Sequence, residues 1–527
     1  MKPIRLVAGF LTVGVWTLLS RVVGFVRDVL IAAWLGAGPV AEAYYVAQSL
    51  PNMFRRFFAE GAFGLAFIPM FSKKLEAQQD AEGFARDAYW FMAAFLTAFT
   101  VIGHLAMPWL VLAMAWGFRG DERFELAVVL GRIAFPYILF ISLTALISGV
   151  LSAMGRFRAN AMAPVLMNGF MVLALIAAER MGWDMGRTLA WSVMLSGVLQ
   201  LVFVWAILRS SGFQLAFRRP RLTPELRRLF IIAAPAVLAG GVVQINLLVG
   251  RQVASFTDGA IAWLYNADRL YQLPLGVVGI AVGVVLLPDL SRRLGAGDTS
   301  GGRASLNRSA EFALFLTVPA AVALVVIALP IVSVLFERGA FTAEDSRQTA
   351  LALAVYALGL PAFVLHKVLQ PLFYAREDTR RPFNYALVSM AVNVVFAFGL
   401  MPLIGFLAAA AGTTISSWVM VWQLWRGSRG MGEAVRLDAR FRRRLPRILV
   451  SAALMGLVLW GIWAAFGERA LAQGTRSLAL LAMISGGMAV YFAAAALTGA
   501  MQPSEIRAAM RRGKRKPPKA PTGTPGD

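Results

Sequence analysis

The chain has 527 residues, of which 59% are hydrophobic and 15% charged, with a net charge of +23 at pH 7. Soluble proteins are about a quarter charged, so this composition and a mean hydropathy of +0.67 exclude an ordinary soluble protein and indicate a polytopic membrane protein. The chain has no cysteine and 2 histidines, which excludes disulfides, thiolate metal sites and cysteine nucleophiles.

Apolar runs long enough to cross a bilayer recur along the whole chain. Breaks at glycine, proline and charged residues divide them into fourteen predicted transmembrane helices, so we expect an all-α fold. No cleavage-type site follows the first run, which we therefore interpret as a retained helix and not a signal peptide. The predicted spans are 6–35, 42–72, 85–117, 124–154, 160–180, 187–209, 227–256, 261–291, 307–336, 346–374, 382–403, 405–426, 446–466 and 476–501.

The basic residues of the loops fall into two unequal groups. If the spans alternate in direction, the loops and tails on the side of the termini hold 35 Lys and Arg, and the opposite loops hold 8. Cytoplasmic loops of membrane proteins are enriched in Lys and Arg. Both termini are therefore predicted in the cytoplasm, and the regular alternation supports the count of fourteen spans.

The chain repeats internally. Residues 64–75 match residues 283–294 at an offset of 219, with Gly, Pro, Ser and Leu in register, and Asn168 matches Asn393 at an offset of 225. Six predicted spans separate the two copies, which gives them parallel topology, as in the two halves of many transporters. The last two spans fall outside the repeat. The sequence therefore predicts two pseudo-symmetric six-helix lobes and two C-terminal helices.

The repeat and two Arg-rich loops divide the chain into six segments. We predict a first lobe at 1–211, a cytoplasmic amphipathic linker at 212–228, a second lobe at 229–428, a second cytoplasmic linker at 429–445, two extra helices at 446–502 and a basic disordered tail at 503–527. Both linkers mix Arg with Phe and Leu, which favours a position on anionic lipid headgroups.

Eight basic residues fall inside the predicted spans. An Arg at mid-membrane depth costs at least about 2.5–3.5 kcal/mol, so it persists where it faces protein, water or a ligand. Four of the eight lie in the first two spans, which predicts a polar cavity that holds an anion, whereas we interpret the isolated Arg132, Arg251 and Lys367 as structural. The eight residues are Arg21, Arg27, Arg55, Arg56, Arg132, Arg251, Arg269 and Lys367.

The first span gathers its polar residues on one face. From Thr17 to Asp28 they fall within an arc of about 120° on a helical wheel. Arg21 and Asp28 are seven residues apart, about 10 Å along the axis, and adjacent Arg27 and Asp28 are expected to point apart. We therefore expect Asp28 to leave positive charge unmatched. In the eighth span, Asp268 and Arg269 form either an internal ion pair or part of a functional site.

Chemistry-bearing motifs of other classes do not occur in the sequence. There is no nucleophile–base set, no phosphate-binding loop and no soluble domain with paired carboxylates, which argues against an enzyme and against an ATP-driven pump. The planar fork of Arg donates two hydrogen bonds to phosphate. Several arginines in one cavity therefore predict a phosphorylated or pyrophosphorylated ligand. Because the cavity lies within the bilayer, this ligand is expected to be a lipid.

Three stretches resemble signatures of the MurJ/MviN family of bacterial lipid II flippases. They are residues 19–28, 51–63 and 267–274. This family belongs to the multidrug/oligosaccharidyl-lipid/polysaccharide exporter superfamily, whose members have two six-helix lobes. The resemblance implies movement of lipid II, the undecaprenyl-pyrophosphate-linked disaccharide pentapeptide, from the inner to the outer leaflet of the bacterial inner membrane by alternating access, in peptidoglycan and cell-wall biogenesis.

The resemblance also implies roles for particular residues. A groove between the second lobe and the last two helices would take the polyprenyl tail, and Glu42 stands where the family has an Asp. Since Arg55 and Arg56 align with Pro274 and Leu275 in the repeat, we expect the first lobe to hold the pyrophosphate. The implied substrate-binding residues are Arg21, Arg27, Arg55 and Arg269, and the implied supporting or gating residues are Asp28, Glu42, Arg56, Glu60 and Asp268.

The implied partners are lipid II, membrane lipids and cell-wall synthesis proteins, with no nucleic acid, no metal and no cofactor; a coupling ion stays open. Three alternatives remain. An exporter of soluble organic cations would need an acidic cavity, and this one is basic. A flippase for another polyprenyl-pyrophosphate-linked glycan shares the same logic. A scaffold for cell-wall enzymes would not need buried arginines.

Overall fold

The computed structural model describes residues 6–56, 62–156, 158–470 and 474–501, which are almost entirely α-helical. In these ranges nine stretches are long and apolar enough to cross a membrane, so the chain is an all-α multi-pass membrane protein, while the count of fourteen spans stays a prediction. The α-helices are α1 (Leu6–Leu35), α2 (Pro39–Arg55), α3 (Ala62–Glu76), α4 (Ala81–Leu105), α5 (Met107–Met114), α6 (Glu122–Ala134), α7 (Tyr137–Ala153), α8 (Arg158–Met181), α9 (Met185–Ser210), α10 (Pro224–Ala254), α11 (Ala260–Gly295), α12 (Thr299–Val326), α13 (Ala328–Phe336), α14 (Ala343–Tyr374), α15 (Arg380–Ile404), α16 (Leu407–Ser428), α17 (Ala439–Ala470) and α18 (Arg476–Thr498).

Prolines explain why several predicted spans contain two helices. The helix breaks fall at Ala106, two residues before Pro108, at Pro136 itself, and at Ile327, shortly before a further proline. Proline has no N–H to donate and its ring clashes with the preceding turn, so an α-helix tends to end or kink there. Proline does not break every helix in this chain. The helix α11, for example, runs continuously through Pro274.

The two lobes repeat the same helix pairings. In the first lobe α1 packs on α8, and α8 on α9; in the second lobe α10 packs on α15, and α15 on α16. The helices α17 and α18 pack on each other, and α17 also packs on α12. This arrangement agrees with two related six-helix bundles and two added helices. One helix crosses the division, since the first turns of α10 pack against α3 of the first lobe.

The bundle has two ends, which differ in how the lobes meet. We call the closed end the one formed by loops 36–38, 115–121, 182–184, 255–259 and 337–342, and the open end the one formed by loops 77–80, 154–156, 211–223, 296–298 and 375–379. The loops of the closed end are those predicted on the side opposite the termini.

Three apolar cores show the difference between the ends. Near the closed end a single core contains residues of both lobes, among them Tyr45 and Phe336. Toward the open end there are two separate cores. One contains Phe67 of the first lobe, and the other joins Phe373 of the second lobe to Leu459 of α17. The lobes therefore share one core at the closed end, whereas two separate cores form toward the open end, and the first turns of α10 belong to the one that contains Phe67.

Candidate substrate-binding site between the lobes

The site is centred on Asp28 of α1. Asp28 and Arg27 are 2% and 6% exposed. Arg27 donates to Asp28 Oδ1 from Nε at 3.1 Å and from Nη2 at 2.7 Å. The expectation that these side chains point apart is therefore wrong. The long Arg side chain folds back to the neighbouring carboxylate, because an unpaired charge buried away from water is costly.

Arg269 of the second lobe reaches the same carboxylate. Its Nε lies 3.2 Å from Asp28 Oδ2, at ion-pair distance but without hydrogen-bond alignment. Arg269 Nη2 donates to the Tyr265 hydroxyl at 2.6 Å, and that hydroxyl lies 3.4 Å from Asp28 Oδ1 as a donor. Two arginines therefore share one carboxylate across the lobe boundary. The predicted surplus of positive charge is retained here, because one carboxylate balances one of the two guanidinium groups.

Asn168 of α8 holds Arg27 from the other side. Its Oδ1 accepts from Arg27 Nη1 at 2.8 Å, and its Nδ2 donates to the carbonyl and hydroxyl oxygens of Ser20, both at 3.2 Å. The absence of a side chain at Gly24 leaves space for the amide of Asn168, since a Cβ at position 24 would lie 3.2 Å from Asn168 Nδ2. The guanidinium of Arg27 is thus fixed by an amide on one side and a carboxylate on the other.

The repeat contained the signal that could have assigned Asn168 to the site. Its repeat partner Asn393 donates to Asn246 Oδ1 at 3.0 Å, and Asn246 stands at the repeat position of Arg27, 219 residues later. The first and fifth predicted spans of each lobe therefore make the same side-chain contact. Only the first lobe places a cation there.

Asn168→Ala should lower the transport that the family resemblance implies about tenfold without unfolding the protein. A hydrogen bond to a charged group contributes about 1.5–3 kcal/mol, and losing it leaves Arg27 held by Asp28 and by a weak contact with Met171 Sδ at 3.8 Å. Initial transport rates of purified variants in proteoliposomes would measure the effect. The control is Asn246→Ala, which removes the equivalent amide of the second lobe and should leave Arg27 fixed. Equal losses in both variants would contradict a positioning role for Asn168.

Arg21 lies at the same boundary, nearer the open end. It is exposed, and a Cβ on Gly276 of α11 would collide with its guanidinium. Arg21 contacts Gly276 of α11, and Asp28, seven residues after Arg21, contacts Arg269, seven residues before Gly276. The helices α1 and α11 therefore run side by side in opposite directions. Arg21 therefore lies about 10 Å from Asp28 along the helix axis. Arg21 thus lies between the open end and the two arginines that contact Asp28.

The remaining predicted site residues are dispersed. Arg55 is half-buried and lines a cavity inside the first lobe. Arg56 is exposed at the end of α2. Asp268 accepts a hydrogen bond from Gln272, and Glu60 lies outside the described residues. Of the four predicted binding arginines, the structure brings Arg27 and Arg269 together on one carboxylate and places Arg21 on the same helix pair.

Glu42 ties the lobes together at the closed end. It is 1% exposed; its Oε2 accepts from Arg123 at 2.9 Å, and its Oε1 accepts from the Ile261 N–H in the first turn of α11 at 3.1 Å. A carboxylate is stabilised at a helix N-terminus. Arg123 also lies 2.9 Å from Asp258 of the second lobe. Arg123 also acts on Asp121. Desolvation raises the pKa of Asp121, but hydrogen bonds from the backbone N–H and the guanidinium of Arg123 outweigh this effect and lower that pKa below its usual value.

Sequence reasoning missed Arg123, because the positive-inside tally placed it in a loop. The repeat relates only the other two members of this contact, since Ile261 is the repeat position of Glu42, at the offset of 219. Backbone contacts reinforce the same end: Ala340 N donates to Ala33 O at 2.7 Å, and Trp116 N donates to Gln252 Oε1 at 2.9 Å. Contacts from both lobes therefore seal this end.

The sequence also matches a known family. The family described as "Lipid II flippase MurJ" matches residues 31–473. The chain belongs to the MurJ family. A relative from Rhizobium meliloti (strain 1021), named "Probable lipid II flippase MurJ", is 43% identical over 523 residues, which cover 96% of this chain and 97% of the relative. The family resemblance predicted from three sequence stretches is confirmed.

Solved structures support the fold. A structure titled "Lipid II flippase MurJ, inward closed conformation" matches with a TM-score of 0.77 at 23% identity, covering 95% of this chain and 99% of that chain. An inward-facing multidrug resistance MATE family transporter of the MOP superfamily matches with a TM-score of 0.69 at 14% identity, covering 80% and 96%. At these identities the likeness shows a shared fold. In this MurJ family member, two of the signature stretches meet, one supplying Arg27 and Asp28 and the other Arg269.

Proposed function

We propose that the protein moves lipid II from the inner to the outer leaflet of the bacterial inner membrane. The observation that carries this proposal is the pair of arginines, Arg27 and Arg269, that reach one carboxylate from opposite lobes. Relatives in the same family are named as lipid II flippases, which also supports a transporter over an enzyme. The basic site counts against a soluble organic cation as substrate.

Asp28 serves as the counter-ion of the empty site in this proposal. A pyrophosphate offers more negative charge than one carboxylate, and Arg donates to phosphate in bidentate geometry. Arg27 and Arg269 therefore turn from Asp28 to the incoming pyrophosphate. Arg21, nearer the open end, makes the first contact. The sugar–peptide headgroup stays in the aqueous cavity while the polyprenyl tail follows the surface between the second lobe and α17–α18.

Binding at this site is linked to the movement of the lobes. Arg269 and Tyr265 contact Asp28 across the lobe boundary, so a ligand that takes over Arg269 loosens one tie between the lobes. At the closed end, the contacts of Glu42 with the Ile261 N–H and of Arg123 with Asp258 must also break before that end opens. A ligand shifts such an equilibrium only through its different affinities for the two states. The pyrophosphate supplies that difference, and the lobes alternate between access from either side.

The positive-inside tally supports the orientation of this cycle. With both termini in the cytoplasm, the open end faces the cytoplasm, where lipid II is loaded, and the closed end faces the periplasm. The six predicted segments from 1–211 to 503–527 are retained as the proposed domain division. Contacts with cell-wall synthesis proteins and the use of a coupling ion stay expectations of the family resemblance.

Arg21→Ala should abolish complementation of a flippase-depleted cell while the protein still reaches the membrane. The variant removes the arginine nearest the open end, and Arg21 is exposed, so folding should be unaffected. Growth after depletion and the amount of protein in membranes are the two readouts. Arg132→Ala is the matched control, because Arg132 lies in a helix and bonds the His104 carbonyl at 3.3 Å. Normal growth with Arg21→Ala would contradict the proposal.

A further inference from the structure

A cavity lined in part by polar side chains lies inside the first lobe. Its volume is about 420 Å³, and it is lined by α3, α7, the first turns of α8, and α9, with Arg55 at the end of α2 also on its wall. Sites for small molecules have volumes of about 300–1,000 Å³, so the cavity has room for a small organic group. It is too large to be a packing defect between neighbouring side chains.

One face of α7 presents hydroxyl groups to this cavity. Thr144, Ser148 and Ser152 follow each other at four-residue intervals, which puts them on one side of the helix. Thr144 and Ser148 are each 3% exposed, and their hydroxyl oxygens have no hydrogen-bond partner among the described residues. Buried polar groups are almost always paired. Two unpartnered hydroxyls on one cavity wall therefore indicate a ligand that pairs them.

Gln200 of α9 adds a third unpartnered polar atom. Its Nε2 donates to the Ala163 carbonyl at 2.7 Å, which fixes the amide, while its Oε1 is buried without a partner among the described residues. In contrast, the hydroxyls of Ser192 and Ser196 of α9 donate to carbonyl oxygens of their own helix at 2.7 Å. The cavity wall therefore presents three polar atoms, from Thr144, Ser148 and Gln200, that are unpaired within the described part of the chain.

The lining defines the chemistry of the ligand. Arg55 is the one ionisable residue among the lining residues, which include hydroxyls, the amides of Asn160 and Gln200, and the ring of Phe67. A cation would need a carboxylate here, and an apolar molecule would leave the hydroxyls unpaired. An uncharged ring that carries hydroxyl and amide groups matches both the donors and acceptors and the aromatic wall. Sugars with N-acyl groups have this chemistry.

We propose that this cavity binds the sugar that is bonded directly to the pyrophosphate of the lipid-linked substrate. This inference rests on the proposed function, because the cavity wall includes Pro164, which lies one turn of α8 before Asn168, the residue that holds Arg27. A pyrophosphate held by Arg27 and Arg269 therefore places its first sugar near the hydroxyls of this cavity. The cavity therefore selects lipids whose pyrophosphate carries a sugar over the bare polyprenyl pyrophosphate.

The test compares two lipids that share tail and pyrophosphate. Binding of lipid II and of undecaprenyl pyrophosphate to the full-length protein in nanodiscs is measured by native mass spectrometry. The double variant Thr144→Val with Ser148→Ala removes two hydroxyls and almost no volume. Losing two neutral hydrogen bonds should weaken lipid II binding roughly tenfold and leave undecaprenyl pyrophosphate binding unchanged. The melting temperature without ligand should not fall, because the removed hydroxyls have no partner there.

Ser196→Ala is the matched control, since it removes a buried hydroxyl of the same lobe that is paired within its own helix. It should bind both lipids like the wild type. Wild-type affinity of the double variant for lipid II would overturn the inference and leave the cavity to water. An equal loss for both lipids would also overturn it, because the hydroxyls would then act on the pyrophosphate. A wild-type protein that binds neither lipid would overturn the proposed function together with this inference.

Discussion

Arg269→Ala should reduce lipid II transport at least about a hundredfold. Each hydrogen bond from a guanidinium to a charged acceptor contributes about 1.5–3 kcal/mol, and a bidentate Arg–phosphate contact has two. A loss of about 1.4 kcal/mol corresponds to a tenfold change. The fold should survive, because Asp28 keeps its hydrogen bonds to Arg27 at 3.1 and 2.7 Å after Arg269 is removed.

The measurement is the initial rate at which proteoliposomes with purified protein move fluorescent lipid II between leaflets. Arg269→Lys is the informative companion, since it keeps the charge and loses the planar fork. Its rate should lie between those of the wild type and of Arg269→Ala. An Arg269→Ala protein that retains a third of the wild-type rate or more would show that the pyrophosphate is held elsewhere.

A disulfide between Ala33→Cys and Ala340→Cys should stop transport completely under oxidising conditions. Ala340 N donates to Ala33 O at 2.7 Å across the lobe boundary. A disulfide can bridge two residues whose Cα atoms are about 4.4–6.8 Å apart, and a direct backbone hydrogen bond brings two residues this close. The chain has no cysteine of its own, so this pair would be the only one. The bond would hold the closed end shut, and alternating access requires that end to open.

Reduction should restore transport in the same sample, which separates a locked cycle from a damaged protein. The two single-cysteine variants are the controls, and their rates should not respond to the oxidant. Mass spectrometry gives the fraction that is cross-linked. A fully cross-linked protein that transports lipid II at the wild-type rate would rule out opening of the closed end as a step of the cycle.

The sequence predicted the class of the fold because its strongest signals are long-range patterns of a single property. Hydropathy located the helices, and the repeat between residues 64–75 and 283–294 predicted two related lobes. Helix breaks were harder to place, since proline at position 136 breaks a helix and proline at position 274 does not. A proline in a helix leaves one carbonyl oxygen of the preceding turn without its hydrogen bond. The residues packed around the proline in the fold decide whether this is tolerated, and the sequence does not show which residues these are.

The site was predicted in its residue types and missed in its contacts. Arg27 was identified as a cavity arginine because buried charge is expensive and therefore marks function, and Arg269 was identified by the family resemblance. Their shared partner was not predicted, since a helical wheel gives the direction of the Cα–Cβ bond and a long Arg side chain reaches well beyond it. The partnership of Glu42 with Arg123 joins residues 81 positions apart, and neither hydropathy nor charge tallies carry that information.

The most direct test of the account is the arrival of labelled lipid II in the outer leaflet of cells in which this protein is the sole candidate flippase. We expect the label to reach the outer leaflet while the protein is present and to accumulate in the inner leaflet after its depletion. Expression of Arg269→Ala in the same cells should leave the label inside. Outer-leaflet arrival that continues at the same rate after depletion would contradict the assignment of this protein as a lipid II flippase.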